Sequence, residues 1–455
     1  MTGFVVDVAY NALIPRAWIP GRRFSGVPVL FRFLHAADIH LDSPLQGLER
    51  YPEAPVDAVR GAPRRAFERL VELALEERVA FVLLAGDLYD GDWKDYNTGL
   101  FFTAQMRRLA EAGIPVHLVS GNHDAASQIT KRLSLPPNVH HYASRQPETI
   151  LLADYDVAIH GQSFASRRVS DDLAAGFPQA DPGRFEIGLL HTSLDGRPGH
   201  ADYAPCTVEE LRAKGYAYWA LGHVHRREIV SRDPWIVFPG NLQGRHARET
   251  GGKGATLVTV DHGCVLDVAH HDLDVVRWAR IEVDLAGRDR PEDALACVGE
   301  ALAKALVEAD GRLLAARVVI GGSTRAHDAL VREPERWLHE FRLLASEVGE
   351  PGVWLERIDF ATRSRRDLEA LLDRNDALSG LLRRIEGLQS APLESGRALD
   401  ELEELKRKLP AQLVGEAEAS DEDRCDPTDP AWLRARLPAV RDLLWSRLLE
   451  GEDPA

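Results

Sequence analysis

The stretch Val119-Ser120-Gly121-Asn122-His123-Asp124 lies at the end of an apolar run, Ile114 to Val119, that predicts a buried β-strand. Gly121 allows the chain to turn sharply after this strand because it has no Cβ atom. The next three residues offer an amide oxygen, an imidazole and a carboxylate at one strand end. These are donors that suit a divalent cation facing a phosphate. One such stretch is weak evidence, and four further strand ends of the same kind strengthen it.

The residues before this stretch predict alternating strands and helices. Val29 to Ala37 and Val79 to Ala85 are apolar runs typical of strands, and the second is apolar enough to be buried on both faces. Arg64 to Arg78 and Thr98 to Ala112 have the spacing of amphipathic helices. This β-α-β-α-β order predicts a parallel sheet whose functional residues gather at the carboxyl ends of its strands.

The middle of the chain predicts a second sheet. Phe185 to Leu190 is an apolar segment that ends at His191, and Tyr216 to Leu221 ends at Gly222-His223-Val224-His225. Short apolar segments between residues 229 and 270 predict antiparallel strands. The predicted fold class is therefore α/β, in a four-layer α+β arrangement. Two mixed β-sheets face each other, helices flank them, and the site lies along one edge.

Composition shifts divide the chain into four regions. Residues 1–30 are rich in Pro and Arg without the pattern of a signal peptide, which predicts a poorly ordered extension. Residues 31–275 form the predicted catalytic domain, and residues 276–362 read as a small α/β cap domain that could act as a lid. Residues 363–455 are rich in Leu and charge and predict helices. The apolar stripe of the last helix, Ala431 to Leu449, suits either a partner's groove or packing on its own domain.

The composition limits the classes of function. The 455 residues carry a formal net charge of −16, which excludes a broadly basic protein that coats nucleic acid. Nucleic acid stays open as a substrate, because metal ions can supply positive charge in an acidic pocket. The four cysteines are scattered and form no CxxC motif, which predicts reduced thiols and a cytoplasmic protein. No apolar run has the length of a membrane span, so we expect no membrane association.

Donor residues follow the strand ends in five motifs: Asp38-x-His40, Gly86-Asp87, Gly121-Asn122-His123, His191 and Gly222-His223-x-His225. Together they supply two Asp, one Asn and several His, which is the set that two neighbouring divalent ions with a bridging carboxylate require. In Asp-x-His, the first and third residues point the same way on an extended backbone, so both can reach one ion. Oxygen and nitrogen donors without thiolate favour manganese, iron or zinc over calcium.

These motifs resemble the calcineurin-like metallophosphoesterase superfamily. Within it, FLHAADIHLDSPL at Phe33 to Leu45 and FPGNLQGRHARETGGKG at Phe238 to Gly254 resemble the DNA repair exonuclease branch of SbcD-like and YhaO-type proteins. The resemblance covers about Phe31 to His270 and implies that the native start lies near Phe31. It also implies a DNA exonuclease or endonuclease with a two-metal mechanism. The expected cofactors are two Mn²⁺ ions, and the expected partners are DNA and an SMC-like coiled-coil ATPase. A homodimer is compatible with this family.

The resemblance implies seven metal ligands: Asp38, His40, Asp87, Asn122, His191, His223 and His225. Asp87 would bridge the two ions, and the first ion would also take the Asp-x-His motif and His225. The catalytic residues would be His123, which would stabilise or protonate the leaving group, and Asp124, which would orient His123. Some relatives carry a further histidine where this chain has Asp90, so the role of Asp90 is open.

Two other functions are compatible with the same sequence motifs. The first is a phosphodiesterase or phosphatase that acts on small molecules or other phosphoesters. Phosphatases of this type usually carry an arginine soon after the Gly-Asp motif, and Gly86 to Trp93 contains none. The second is a non-catalytic regulator of a partner ATPase, against which the complete ligand set argues.

Overall fold

The computed structural model describes residues 30–43, 54–90, 96–126, 135–195, 203–349, 352–365, 373, 375, 377–390, 397–408 and 426–448. The extension expected over residues 1–30 lies outside this part of the chain, apart from Leu30. The chain divides into two compact units. The first comprises Met1–Gln46, Asp57–Gly244 and Gly252–Val275, and the second comprises Gly47–Val56, Arg245–Gly251 and Val276–Ala455.

The first unit is built mainly from strands: β1 Phe31–Ala36, β2 Phe81–Ala85, β3 Val116–Val119, β4 Val139–His141, β5 Glu148–Leu152, β6 Val157–Gln162, β7 Phe185–His191, β8 Tyr218–Gly222, β9 Glu228–Arg232, β10 Trp235–Phe238, β11 Gly254–Asp261 and β12 Cys264–Asp272. Helices accompany them: α1 Val56–Arg60, α2 Ala62–Glu76, α3 Tyr96–Glu111, α4 Asn122–Ala126 and α5 Val208–Ala213.

The strands form two mixed six-stranded sheets, as the sequence predicts. In the first sheet, with order β12-β11-β1-β2-β3-β4, strands β1 to β4 are parallel and β11 and β12 form an antiparallel hairpin. In the second sheet, with order β5-β6-β7-β8-β10-β9, the four inner strands are parallel and both edge strands are antiparallel. The carboxyl ends of β1, β2, β3, β7 and β8 are those that carry the predicted donors.

Strand β2 shows why the apolar runs are continuous. Alternate side chains of a strand point to opposite faces. Val82 and Leu84 pack in the cluster formed with α2 and α3, whereas Phe81 and Leu83 pack in the cluster between the two sheets. The Phe81 ring stacks on that of Phe33 at 5.0 Å. A further cluster covers the outer face of the second sheet beneath α5. The result is the predicted arrangement of two facing sheets flanked by helices.

The second unit contains β13 Val276–Asp284, α6 Pro291–Glu308, β14 Leu313–Gly321, β15 Ser323–Thr324, α7 His327–Arg332, α8 Pro334–Glu347, β16 Val353–Phe360, β17 Arg363–Ser364, α9 Ala377–Ser390, α10 Arg397–Lys408 and α11 Pro430–Leu448. Strands β13, β14 and β16 form a parallel sheet, and α6 and α8 pack on it around one apolar cluster. Helix α11 contacts α7 and α9, which favours packing on its own unit as the explanation of its apolar stripe. Among the described residues, no helix is both long enough and apolar enough to cross a bilayer.

Candidate metal centre

The loops after β1, β2 and β8 hold their donor residues in an unusual backbone conformation. Four of these residues have a positive φ: Asp38 (50°), His40 (48°), Asp87 (51°) and His223 (107°). Such a conformation costs on the order of 1–3 kcal/mol per residue and persists where the surroundings fix it. Here the N–H of Asp38 donates to the Gly86 carbonyl and that of His40 to the Asp87 carbonyl, both at 3.0 Å. The loops after β1 and β2 therefore fix one another.

One group of donors, which we call the first donor set, comprises Asp38, His40 and His225. Their ligand atoms all lie within 4.8 Å of one another. Nε2 of His40 lies 3.2 Å from Nε2 of His225, which in turn lies 3.9 Å from Oδ1 of Asp38. Both carboxylate oxygens of Asp38 accept the N–H of His223, at 3.1 and 3.0 Å, so the carboxylate is held in place. Two imidazole nitrogens that converge beside a fixed carboxylate fit one divalent ion.

The second donor set comprises Asp87, His191 and His223, whose ligand atoms also lie within 4.8 Å of one another. Asn122 joins them, because its Oδ1 lies 3.0 Å from Nε2 of His191. Nδ1 of His191 lies 2.9 Å from the Ala85 carbonyl, to which it donates its proton. This bond leaves Nε2 as the ligand atom. Burial lowers the pKa of His191 to about 4, so the ring is neutral at neutral pH, as a metal ligand must be.

Both sets combine oxygen and nitrogen donors without thiolate, and they therefore fit the ions that the sequence predicts. Asp87 is the carboxylate of the second set. Its Oδ1 accepts the N–H of His123 at 2.9 Å, and its Oδ2 lies 3.5 Å from Nε2 of His191. The side chains that the sequence selects as ligands thus come together in two neighbouring groups.

His123 is paired with Asp90, whose role the sequence leaves open. Nδ1 of His123 lies 2.8 Å from Oδ1 of Asp90, and Oδ2 of Asp90 accepts the hydroxyl of Ser43 at 2.7 Å. The same Oδ1 lies 3.8 Å from Nδ1 of His40. Asp90 therefore links the expected catalytic histidine to the first donor set. What the sequence offers to identify Asp90 is its position three residues after Asp87, in the same loop.

Asp124 connects the loop after β2 to the turn after β3. Its buried carboxylate accepts three backbone N–H groups at 2.9 to 3.2 Å, two from the loop after β2 and one from Gly121. It thereby holds two ligand-bearing loops together. Burial, and then the charge of Asp87, raise the pKa of Asp124 to about 6. The carboxylate beside Nδ1 of His123 is that of Asp90, and the expectation that Asp124 orients His123 stays a prediction.

Comparison with known proteins assigns the family. A family described as calcineurin-like phosphoesterase matches residues 31–227, and one described as metallophosphoesterase YhaO, middle domain, matches residues 278–363. The uncharacterized metallophosphoesterase YhaO of Bacillus subtilis is 33% identical over 403 residues, which cover 84% of this chain and 96% of that protein. The chain belongs to the YhaO family of calcineurin-like metallophosphoesterases. It is therefore a phosphoester hydrolase with a site for two divalent metals.

Other relatives carry the name DNA double-strand break repair protein Mre11. That of Haloferax volcanii is 30% identical over 264 residues, which cover 56% of this chain and 55% of the relative. That of Aeropyrum pernix is 38% identical over 245 residues, which cover 50% of this chain and 57% of the relative. The chain thus spans little more than half of these relatives. A solved dimetal phosphatase from Danio rerio aligns with 53% of this chain and 99% of its own, at 14% identity and a TM-score of 0.31.

Two glycines of the family motifs leave room for the ligands. A Cβ atom at Gly86 would lie 2.5 Å from Nδ1 of His191, and one at Gly121 would lie 2.3 Å from Oδ1 of Asp87. Real Cβ atoms essentially never make contacts this short. The backbone therefore approaches these ligands so closely that only glycine fits.

A buried lysine supports the first donor set from a distant part of the metallophosphoesterase chain. Lys253 is 7% exposed, and its Nζ donates to the carbonyl of His225 at 2.9 Å. The N–H of Asn241 donates to the same carbonyl at 3.2 Å. The loop that carries His223 and His225 is thus held by the segment between β10 and β11. Periodicity and motif spacing give no sign of this contact.

Other histidines of this domain have structural roles. His35 and His117 point between the sheets, and we call them the inter-sheet histidines. His35 lies 3.0 Å from the Tyr218 hydroxyl and 3.1 Å from the Leu221 carbonyl, while His117 lies 3.1 Å from the Tyr142 hydroxyl. Burial lowers the pKa of each to about 3, so both are neutral. They are core residues with hydrogen-bond partners.

Proposed function

We propose that this metallophosphoesterase is a DNA repair nuclease that hydrolyses phosphodiester bonds with two Mn²⁺ ions. The observation that carries the proposal is the pair of neighbouring donor sets with His123 beside them. The ring of His123 lies 5.0 Å from that of His40, and its N–H fixes Asp87. A dinuclear centre next to a partly exposed imidazole has the parts that hydrolysis of a phosphodiester requires.

In this proposal each ion has its own ligands. Asp38, His40 and His225 would hold the first ion, Asn122, His191 and His223 would hold the second, and Asp87 would serve both. Bound ions would supply a hydroxide at neutral pH and stabilise the charge that develops on the phosphate. His123 donates a proton to the leaving oxygen or stabilises its charge. Asp90 fixes the ring of His123 through Nδ1, which makes Asp90 a positioning residue.

DNA is the proposed substrate because the Mre11 relatives, which are DNA break repair proteins by name, match about half of this chain. The proposed partner is an SMC-like ATPase that contacts the C-terminal region from residue 363 onward. Val440 of α11 is 45% exposed and offers an apolar contact there. The three described cysteines, Cys206, Cys264 and Cys297, are unpaired. Unpaired thiols suit a cytoplasmic protein.

Digestion of end-labelled DNA tests the substrate. Purified protein is incubated with duplex and single-stranded oligonucleotides, with manganese or with EDTA, and with bis(p-nitrophenyl) phosphate in parallel. We expect manganese-dependent release of labelled nucleotides. Hydrolysis of the small diester without cleavage of either DNA would favour a small-molecule phosphodiesterase. Purified protein that contains no metal, and that hydrolyses none of these substrates when manganese is supplied, would favour the non-catalytic regulator.

The variant His123→Ala tests the assigned role of the imidazole. It should keep the metal content and DNA binding of the wild type but lose cleavage, because in this proposal His123 binds neither ion. The measurement of metal content is decisive, since the ligand atoms of His123, His40 and Asp90 also lie within 4.8 Å of one another. Loss of metal from this variant would contradict that role. For the partner, a chain that ends at Leu409 should bind less SMC-like ATPase in a pull-down than the full chain, and equal binding would contradict docking at this region.

A further inference from the structure

The second unit carries a cluster of arginines at the carboxyl ends of its parallel strands. Strands β13, β14 and β16 are parallel neighbours, so their carboxyl ends share one edge of the sheet. The segments that follow them are residues 285–290, 321–326 and 361–365. They contain five arginines and one aspartate, hence a formal charge of +4 in a chain of −16. We call these residues the arginine edge: Arg288, Arg290, Arg325, Arg363 and Arg365.

Contacts between the three segments bring these arginines to one surface. The Thr324 hydroxyl donates to the Arg288 carbonyl. Strands β15 and β17 pair Ser323 with Arg363, which ties the second segment to the third. Asp289 of the first segment accepts the N–H of Arg325 at 3.5 Å and lies 3.6 Å from the guanidinium of Arg365. The positive charges are therefore neighbours in space, although they are far apart in the sequence.

The guanidinium groups of this edge can bind a ligand. All five arginines are exposed. In the part of the chain that the structure describes, the side chains of Arg288, Arg325 and Arg363 have no carboxylate partner. Arg365 pairs with Asp289 and Arg290 with Glu292, at 3.6 and 3.5 Å, but all four side chains are more than two-fifths exposed. Such exposed pairs are worth at most about 1 kcal/mol and can exchange for a phosphate.

The shape of the cluster indicates the class of ligand. Open α/β sheets bind ligands at the carboxyl ends of their strands. Three neighbouring strands span about 10 Å, since adjacent strands lie about 4.8 Å apart. An edge of this width with five guanidinium groups suits a row of phosphates better than one phosphate, and each guanidinium can bind a phosphate through two N–H groups. We propose that the arginine edge binds the sugar–phosphate backbone of DNA without reading its sequence.

This inference rests on the proposed function, for which it names a surface that binds the substrate. Fluorescence anisotropy with a labelled duplex at several salt concentrations tests it, using the full chain with EDTA present only to prevent hydrolysis. The test variant is R288Q/R325Q/R363Q. A control variant loses the same charge from α6 and α8, on the helical side of the same unit: K304Q/R336Q/R342Q.

Loss of three phosphate contacts should lower the slope of log Kd against log salt by about 2.7. If counterion release accounts for the whole effect, Kd at 0.15 M salt should weaken by on the order of 100-fold. The control variant should stay within about twofold of the wild type. Both variants should hydrolyse bis(p-nitrophenyl) phosphate at the wild-type rate, because neither replaces a residue of the donor sets.

The outcomes separate this inference from the proposed function. Cleavage of DNA by the wild type, together with equal Kd and slope for the two variants, would overturn the arginine edge alone. Duplex binding that depends on the arginine edge, without any DNA hydrolysis, would support the edge and overturn the nuclease. Binding of labelled ATP that requires these arginines, without duplex binding, would overturn the edge as a DNA site and assign it to mononucleotides.

Discussion

The variant Gly121→Ala tests the metal centre through a single methyl group. The added Cβ would lie 2.3 Å from Oδ1 of Asp87 and 2.8 Å from Cε1 of His191, whereas ordinary contacts begin at 3.4 Å. Asp87 must therefore move by about 1 Å, or the turn that carries Asn122 must move instead. Gly121 does not have a positive φ, so the effect is one of space and not of backbone conformation. A misplacement of about 1 Å costs on the order of 100-fold in rate.

We expect Gly121→Ala to lose at least one of two ions per chain and to lower kcat about 100-fold. Metal content is measured by mass spectrometry after loading with manganese and gel filtration, and kcat with bis(p-nitrophenyl) phosphate. The matched control is Gly299→Ala in α6, where the nearest contact of the new Cβ is Leu344 at 3.4 Å. A folded Gly121→Ala protein with normal metal content and normal kcat would refute the close packing of backbone and ligands described above.

Other predictions concern positioning and stability. Asp90→Asn should lower hydrolysis by about 100- to 10,000-fold with unchanged metal content, because His123 loses the carboxylate that orients it, and metal loss would contradict this role. Lys253→Met should weaken one of the two metal sites by about 10- to 100-fold in a calorimetric titration, because it releases the carbonyl of His225. Lys214→Met, which removes a lysine bonded to two carbonyls elsewhere, should leave both sites unchanged. The inter-sheet histidines have folded pKa values of about 3, so the unfolded chain binds more protons below its own pKa of about 6.5. Stability should therefore fall as pH falls below about 6.5, by about 2 kcal/mol per histidine at pH 5, and urea denaturation at pH 7 and pH 5 measures this.

The donor positions could be predicted from the sequence because two local signals coincide. Each donor follows an apolar run, and the run is apolar because its strand is buried on both faces, as β2 shows. Parallel strands place their carboxyl ends at one edge, so the order of motifs along the chain is enough to bring donors together. Asp38 and His223 are 185 residues apart, yet the N–H of one reaches the carboxylate of the other.

The supporting contacts could not be predicted in this way, because they depend on loop geometry. Asp124 and Asp90 are both carboxylates near His123, and spacing does not distinguish which of them reaches it. In the structure three backbone N–H groups converge on Asp124, and Asp90 lies beside the imidazole. Lys253 and the arginine edge likewise depend on contacts between loops that have no common period or motif.

The positive φ values help to explain why Asp and His recur in the ligand motifs. Eight of the eleven non-glycine residues with positive φ in the described chain are Asp or His, and four of these eight belong to the donor sets. Asp, Asn and His tolerate the left-handed region better than other residues that carry a Cβ. A sharp turn at a strand end and a metal ligand therefore favour the same residue types. Replacing such a ligand by alanine would remove a donor and also place a less tolerant residue in a left-handed turn, so the two requirements together restrict these positions more than either does alone.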